Sequence, residues 1–246
     1  MSACKKDTDQ PPTSPAPQAN FAIDGQESAS VTLKSTWDYY LENKSQNAES
    51  FTWTLGDGTT STKKHEIFKF NKPGNYTISL AAKSSSGETS VAKKQVKIVA
   101  TVLRNITIQN IDWRAGDGAL PKSNNADVWV EITKREEGVN YPLTKMGAYD
   151  APVVYRSPVY YNATPDNVPI TFKVSEKSYI DETAVAGSKY DVQIHAKDAQ
   201  GTYLLLHKNL GSYSSVFNGK INKDTNGFLW NVGFSRYSVD LTGNYE

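Results

Sequence analysis

The sequence predicts an all-β protein built from two β-sandwich domains in tandem. Three observations predict this fold class. Short apolar runs alternate with polar residues at the period of two that marks a half-buried strand, Gly, Asn, Ser and Pro separate these runs, and helical periodicity is hard to find. A length of 246 residues suits two domains. We expect a tether in residues 1–20, a first sandwich in residues 21–99 and a larger sandwich in residues 101–246.

The tether has the composition of a spacer. Four of the 11 prolines lie between residues 11 and 17, among Ser, Thr and Gln. Proline at this density favours extended polyproline II and cannot build a core. We therefore expect these residues to hold the folded part of the chain away from whatever anchors its N-terminus.

Cys4, the only cysteine, follows the small residues Ser2 and Ala3 and precedes a charged stretch over residues 5–9. This pattern resembles the processing site of bacterial lipoproteins, and the charged stretch resembles the tether of surface-exposed lipoproteins of the Bacteroidetes group. The resemblance implies acylation of Cys4 and a lipid-anchored location at the outer membrane, on the cell surface. The apolar core of a signal peptide is missing, and we expect Met1 to stand in its place. An incidental cysteine in a disordered start is the alternative.

In the first domain, alternation is cleanest over residues 51–55 and 76–80, and residues 29–33 and 91–99 follow it more loosely. The run over residues 51–55 is part of the motif Trp-Thr-Leu-Gly-Asp-Gly, which begins at Trp53. The motif Pro-Gly-Asn-Tyr ends at Tyr76, the first residue of the run over residues 76–80. This combination resembles the polycystic kidney disease (PKD) domain, which implies an immunoglobulin-like sandwich. The residues that carry the resemblance are Trp53, Gly56, Asp57, Gly58, Pro73, Gly74 and Tyr76.

These motif residues have structural reasons to be where they are. Trp53 would fill the centre of a small core. Gly56 and Gly58 would permit positive φ in a tight turn, and Asp57 would hydrogen-bond the turn backbone. Pro73–Gly74 would make a reversal before the next strand. A role for Asp57 as a calcium ligand or catalytic acid is the functional alternative, and we favour the structural one.

The second domain contains seven further strand-like runs, which suit an eight-stranded sandwich. Its layout resembles the calcium- and phospholipid-binding sandwich of protein kinase C and synaptotagmin, with residues 125–130 and 194–201 at the matching places. The strand-like runs cover residues 102–111, 127–132, 169–174, 190–196, 203–206, 228–232 and 237–241.

The resemblance implies calcium candidates at Asp117, Asp127 and Asp198. Calcium takes about 6–8 oxygen ligands, several of them carboxylates. Lys197 and Gln200 stand where further acids would be expected, and a cation beside the site opposes Ca²⁺. We therefore expect no metal and no cofactor, and we keep calcium-dependent lipid binding as a lesser alternative.

Charge and residue counts exclude several functional classes. Lys+Arg is 27 and Asp+Glu is 26, so the formal net charge of +1 gives no electrostatic case for nucleic acid. One cysteine and three histidines argue against a Cys/His zinc site, and the sequence contains no Gly-x-Ser-x-Gly motif and no phosphate-binding loop. His195 falls within a strand-like run and His207 lies near the end of one, where surface or edge positions are expected. We expect no enzyme, and a hydrolase with two carboxylates that meet in a cleft is the alternative.

Four tyrosines cluster in a proline-punctuated stretch and form a candidate ligand platform: Tyr149, Tyr155, Tyr160 and Tyr161. Exposed aromatic rings bind sugars by stacking and anchor protein interfaces. Packing at a core or a sheet edge is the structural alternative.

The sequence as a whole predicts a non-catalytic surface lipoprotein. We expect it to act as a binding or assembly module for another envelope protein. A glycan-binding accessory of a polysaccharide-uptake system is the first alternative, with the four tyrosines as its platform.

Overall fold

The computed structural model describes residues 15–113, 120–145, 147–211, 227–234 and 236–246. These residues are mostly in β-strands, and the chain divides into two compact units between Val99 and Ala100. The predicted all-β class with sandwiches in tandem is confirmed. In the described part of the chain, no helix has the length and apolar character needed to cross a membrane.

The first unit contains eight described strands: β1 (Phe21–Ile23), β2 (Ser30–Lys34), β3 (Tyr39–Asn43), β4 (Ser50–Thr54), β5 (Thr60–Ser61), β6 (Glu66–Phe68), β7 (Gly74–Lys83) and β8 (Thr89–Val99). They form a three-stranded sheet of order β1-β3-β6 and a five-stranded sheet of order β2-β8-β7-β4-β5. All the strand pairs are antiparallel except β2 with β8, which is parallel. Apolar residues of both sheets share one core.

Trp53 occupies this core, as the sequence predicts. Its side chain is completely buried, its ring meets Phe21 edge-on at 5.2 Å between centroids, and its indole N–H donates to the carbonyl of Lys63 at 3.0 Å. The hydrogen bond satisfies the polar atom that burial would otherwise leave unpaired.

The turn after β4 confirms the role of Asp57 and corrects that of Gly56. Asp57 Oδ1 accepts from the backbone N–H of Thr59 at 3.0 Å, and Gly58 has the positive φ of +93°. Gly56 has no positive φ. A Cβ at Gly56 would lie 2.8 Å from the backbone nitrogen of Thr77, so this position requires glycine for space.

The Pro73–Gly74 step leads directly into β7, which begins at Gly74. Tyr76 on this strand stacks on Phe70 at 3.9 Å between ring centroids, and its hydroxyl donates to the carbonyl of Lys72 at 3.0 Å. Tyr76 therefore ties the start of β7 to the segment just before it.

The second unit has nine described strands: β9 (Thr101–Asn110), β10 (Ala126–Lys134), β11 (Val153–Arg156), β12 (Tyr160–Ala163), β13 (Ile170–Ile180), β14 (Tyr190–Lys197), β15 (Thr202–Asn209), β16 (Gly227–Phe234) and β17 (Tyr237–Tyr245). One sheet has the order β13-β9-β17-β16, and the other, called the β10 sheet below, has the order β11-β10-β14-β15. Strand β12 also pairs with β10.

Strands β11 and β12 share one edge of β10, because β14 pairs with the other edge from Asp127 to Lys134. They occupy one strand position that is interrupted between Arg156 and Tyr160. Each sheet of this unit therefore has four strand positions, which agrees with the predicted eight-stranded sandwich.

Two short helical elements lie between strands. A 3-10 turn spans Pro165–Asn167 and helix α1 spans Glu182–Ala186. Asp181 caps α1, since its Oδ1 accepts from the backbone N–H groups of Thr183 and Ala184 at 3.1 Å each. Sequence analysis did not predict α1, because five residues are too few to show helical periodicity.

Candidate ligand-binding surface

The side chains of β10 alternate between an apolar face and a polar face of the sheet. Val128, Val130 and Ile132 alternate along it and are buried in the core. The intervening side chains, which include Trp129 and Glu131, lie on the opposite side of the sheet. We call this side the outer face of the β10 sheet.

The outer face continues across β14 in register. Trp129 lies opposite His195, Glu131 opposite Gln193, Thr133 opposite Asp191 and Asp127 opposite Lys197. Directly opposed residues of an antiparallel pair share a face, so two rows of polar side chains run side by side.

Trp129 is the large aromatic of this face, and it is partly exposed. Its ring stacks on the imidazole of His195 at 5.2 Å between centroids and 8° between planes. Its indole N–H donates to Glu131 Oε1 at 2.9 Å. The stacking and the hydrogen bond fix the orientation of the indole in a place where a side chain would otherwise be free to rotate.

Arg156 completes this group from the edge strand β11. One terminal nitrogen of its guanidinium lies 2.8 Å from Glu131 Oε1, while 61% of the Arg156 side chain remains exposed. The carboxylate of Glu131 is thus held from two sides, by an indole and a guanidinium. Arg156 keeps hydrogen-bonding capacity toward solvent.

His195 is only 8% exposed, and Glu131 Oε2 lies 3.6 Å from its Nε2. Burial lowers the pKa of His195 below its ordinary value. The carboxylate of Glu131 opposes this shift, and the guanidinium of Arg156 adds to it. The environment of the imidazole beside Trp129 therefore favours its neutral form. Sequence analysis expected a surface or edge position for His195, and that expectation is wrong because β14 is a central strand and the side chains of Trp129 and Glu131 pack beside the imidazole.

The other half of the outer face, around Asp191, is closed to solvent. Asp191 is fully buried there, with Arg135 Nε at 3.5 Å and His207 Nε2 at 3.3 Å from its carboxylate oxygens, and Asn209 donates to Oδ1 at 3.0 Å. The guanidinium carbon of Arg135 lies 4.2 Å from the ring centroid of Tyr149. This half has the features of a buried ionic cluster, and the half around Trp129 remains open to a ligand.

The structure does not bring the four predicted tyrosines onto one surface. Tyr149 packs on Arg135 beside the closed half. Tyr155 and Tyr160 lie opposite the core residues Ile132 and Val128, which places both on the core side at the edge of the sheet.

Burial raises the pKa of Tyr155. Tyr161 is the most exposed of the four, at 69%. It belongs to a strip of exposed apolar residues along β11 and β12, which we call the edge strip and which comprises Val153, Val154, Val159, Tyr160 and Tyr161.

The calcium candidates have separate outcomes. Asp117 lies outside the described residues. Asp127 Oδ1 accepts from the backbone N–H of Asn162 at 3.0 Å, and its cross-strand partner is the cation Lys197. In the described residues, no cluster of three or more His, Cys, Asp or Glu side chains is placed to hold a metal.

Asp198 accepts hydrogen bonds from its own turn and from the backbone of Lys122 and Ser123. Partial desolvation acts to raise its pKa, but backbone hydrogen bonds outweigh that effect and its pKa lies below the usual range. Its lone pairs are thereby occupied by protein donors. These donors are the backbone N–H groups of Lys122, Ser123, Gln200 and Gly201 and the hydroxyl of Tyr203.

Trp129 is the site residue that sequence reasoning missed. The signal was present, because Asp-Val-Trp-Val-Glu-Ile alternates over residues 127–132 and puts the tryptophan with the acids and not with the valines. Cys4, the predicted lipidation site, lies outside the described residues.

Residues 14–100 match the PKD domain family. The first unit therefore contains a PKD domain, as its Trp-Thr-Leu-Gly-Asp-Gly motif predicts. A segment of 57 residues is 40% identical to collagenase ColA of Bacillus cereus, and this match covers 22% of the present chain and 6% of the length of the collagenase.

Two solved structures are similar to parts of this chain. The PKD1 domain of the Vibrio cholerae metalloprotease PrtV is 24% identical with a TM-score of 0.29, over 34% of this chain and 96% of that domain. A structure of carbohydrate-binding modules of the β-sandwich superfamily is 11% identical with a TM-score of 0.31, over 79% of this chain and all of that one.

Proposed function

We propose that this chain is a non-catalytic binding module of a bacterial cell surface and that the open half of the outer face binds a glycan. The observation that carries the proposal is the placement of Trp129. It is a partly exposed aromatic on a polar sheet face, and His195 and Glu131 fix its orientation.

A sugar ring matches this arrangement chemically. Its apolar face can pack on an indole, and each of its hydroxyls both donates and accepts hydrogen bonds. Arg156 stands beside the indole as a donor. Because the indole is already fixed, a ligand would not have to bear the entropic cost of ordering it.

The surroundings of Trp129 favour a polar ligand over a protein. The centre of a protein interface is depleted of charged residues. Here the indole is bordered by Glu131 and Arg156 on one side and by Asp127 and Lys197 on the other. A ligand rich in hydroxyl groups can use these neighbours, whereas an apolar protein patch would leave them unpaired.

A binding role without chemistry is supported by the histidines. His195 and His207 each face a carboxylate, and in the described ranges no hydroxyl or thiol hydrogen-bonds either imidazole. Nucleophilic catalysis requires such a pair of nucleophile and base.

The test is affinity electrophoresis of the full chain against a panel of soluble polysaccharides. We expect retardation by at least one of them, at least a tenfold loss of affinity in Trp129→Ala, and a smaller loss in Trp129→Phe, which keeps an aromatic face. Trp37→Ala is the matched control, because Trp37 is a 40% exposed tryptophan of the first unit. Wild-type affinity in Trp129→Ala would contradict the proposal.

A second candidate function, assembly with an envelope protein, is supported by the edge strip. Its five side chains are 38–69% exposed and entirely β-branched or aromatic. Such a strip along the edge of a sheet resembles the apolar patches at which proteins associate.

The proposed location is the outer membrane at the cell surface, with Cys4 as the acylated residue. The support is the sequence pattern around Cys4 and the proline-rich stretch that follows it. In this arrangement the spacer would carry the binding surface out from the lipid.

A further inference from the structure

We infer that the glycan site extends from Trp129 into a polar cleft at the start of β10, and that its ligand is an uncharged chain of at least two sugar units. The inference rests on the proposed glycan function. It adds a second subsite and a chemical class of ligand.

The cleft lies at the start of β10, and two residues of its lining, Asp127 and Lys197, are on the same face of the sheet as Trp129. It has a volume of about 270 Å³, and its lining includes Asn125, Asp127, Asn162 and Lys197. Asp127 is two residues before Trp129 on β10, so its side chain lies about 6–7 Å along the same face. That step is close to the length of one sugar unit, so a chain stacked on the indole would place its next unit at the cleft.

Two groups in the cleft are available to a ligand. Asp127 uses Oδ1 to accept from the Asn162 backbone, and among the described residues nothing donates to its Oδ2. Lys197 is exposed and forms no ion pair with any described residue. A carboxylate acceptor and an ammonium donor, opposed across two strands, complement neighbouring sugar hydroxyls.

The charges around the site select an uncharged ligand. Asp127 and Glu131 offset Lys197 and Arg156, and the lining of the cleft also includes Asp198. The acids and bases around the site nearly balance, so the site offers no net attraction to the carboxylate of an acidic sugar.

The experiment extends the polysaccharide panel to cleft variants of the full chain. The panel contains neutral polymers, namely β-glucan, xylan, mannan and dextran, and the acidic polymers polygalacturonate and alginate. We expect Asp127→Asn and Lys197→Met each to lower affinity for the neutral ligand about tenfold, the loss typical of one hydrogen bond to a charged group. Asp127→Asn keeps an oxygen for the Asn162 backbone, and thermal melts verify folding. Lys173→Met, an exposed lysine on the other sheet, is the control.

The outcomes separate this inference from the function beneath it. If both cleft variants bind like wild type while Trp129→Ala is deficient, the second subsite is wrong and the glycan function stands. If wild type prefers an acidic polymer, the uncharged class is wrong. If no polymer is bound, both the inference and the glycan function fail.

Discussion

At the scale of single residues, Trp129 and His195 determine the character of the outer face. The indole is held by an imidazole ring stacked 5.2 Å away on the neighbouring strand and by the carboxylate of Glu131, so it is partly exposed but fixed in orientation. His195 can provide that flat support because it is buried and neutral. A charged imidazole in the same place would have to be desolvated at a large cost.

This environment makes the stability of the fold depend on pH through His195. Its pKa in the folded chain lies below the ordinary value of 6.5, so below pH 6.5 the unfolded chain binds a proton that the folded chain does not. The contribution of His195 to stability is therefore complete above pH 6.5 and declines as the pH falls toward the folded-state pKa, by at most about 1.4 kcal/mol per pH unit.

An NMR titration of the three imidazoles checks this expectation. We expect the imidazole signal that is missing in His195→Gln to titrate below the ordinary range of a histidine. Titration of the His195 signal at or above pH 6.5 would contradict it. The fall in Tm between pH 7.5 and pH 5.5 should also be smaller in His195→Gln than in wild type.

At the scale of elements, β10 and β14 show what an alternating sequence pattern predicts and what it does not. In β10, apolar and polar residues alternate, and the structure places them on opposite faces as the period of two predicts. In β14 the same alternation is present, yet every residue from Tyr190 to Ala196 is buried. The outward-pointing side chains of β14 are buried by residues distant in sequence, such as Trp129 beside His195 and Arg135 beside Asp191. An alternating pattern along one strand contains no information about such contacts.

The turn between β4 and β5 provides a test at the same scale. Gly56→Ala would bring a Cβ to 2.8 Å from both the Thr77 nitrogen and the Tyr76 Cβ on β7. Because a strand must shift to relieve these contacts, we expect a loss of about 1–3 kcal/mol in the free energy of unfolding, measured in urea. Gly201→Ala has no atom within 4 Å of its Cβ and no positive φ, and it should be unchanged. Equal stability of the two variants would contradict this account of Gly56.

At the scale of the whole molecule, the near-neutral charge bears on the kind of ligand, and the proline-rich residues near the start of the sequence bear on the proposed location. A net charge of +1 offers no attraction to a polyanion, which agrees with a ligand recognised by stacking and hydrogen bonds. The first unit contains a PKD domain, and the candidate site lies in the second.

The proposed anchor predicts a modified Cys4. Mass spectrometry of the protein purified from its native membrane should show Cys4 at the N-terminus carrying acyl chains, and Cys4→Ser should move the protein out of the membrane fraction, because the anchor is lost. An unmodified Cys4 in the native protein would reject lipid anchoring.

The same membranes test the second candidate function. If the edge strip contacts an envelope protein, chemical cross-linking should give a defined product that Val154→Glu removes and Trp129→Ala retains. A product that survives in Val154→Glu would place the partner elsewhere on the chain.

The sequence by itself determined the all-β class, the tandem arrangement and the PKD motif. These follow from local patterns, since alternation sets which side chains share a face, and a turn requires particular residues at particular places. It also predicted seven strand runs of the second unit, including the one that carries Trp129, but it did not predict β11 and β12.

Only the tertiary structure decided which aromatic is available as a platform. The tyrosines were grouped by their nearness along the chain, but strand pairing put Tyr155 and Tyr160 opposite core residues at the edge of the sheet, and Arg135 and His207 pack against Tyr149. Tyr160 and Tyr161 are exposed only as part of the edge strip, away from the polar outer face. Pairing between β10 and β14 placed His195 beside Trp129, although the two residues are 66 positions apart in the sequence. The physical reason is that burial and stacking depend on contacts between distant strands, whereas a pattern along one strand records only which face each side chain occupies.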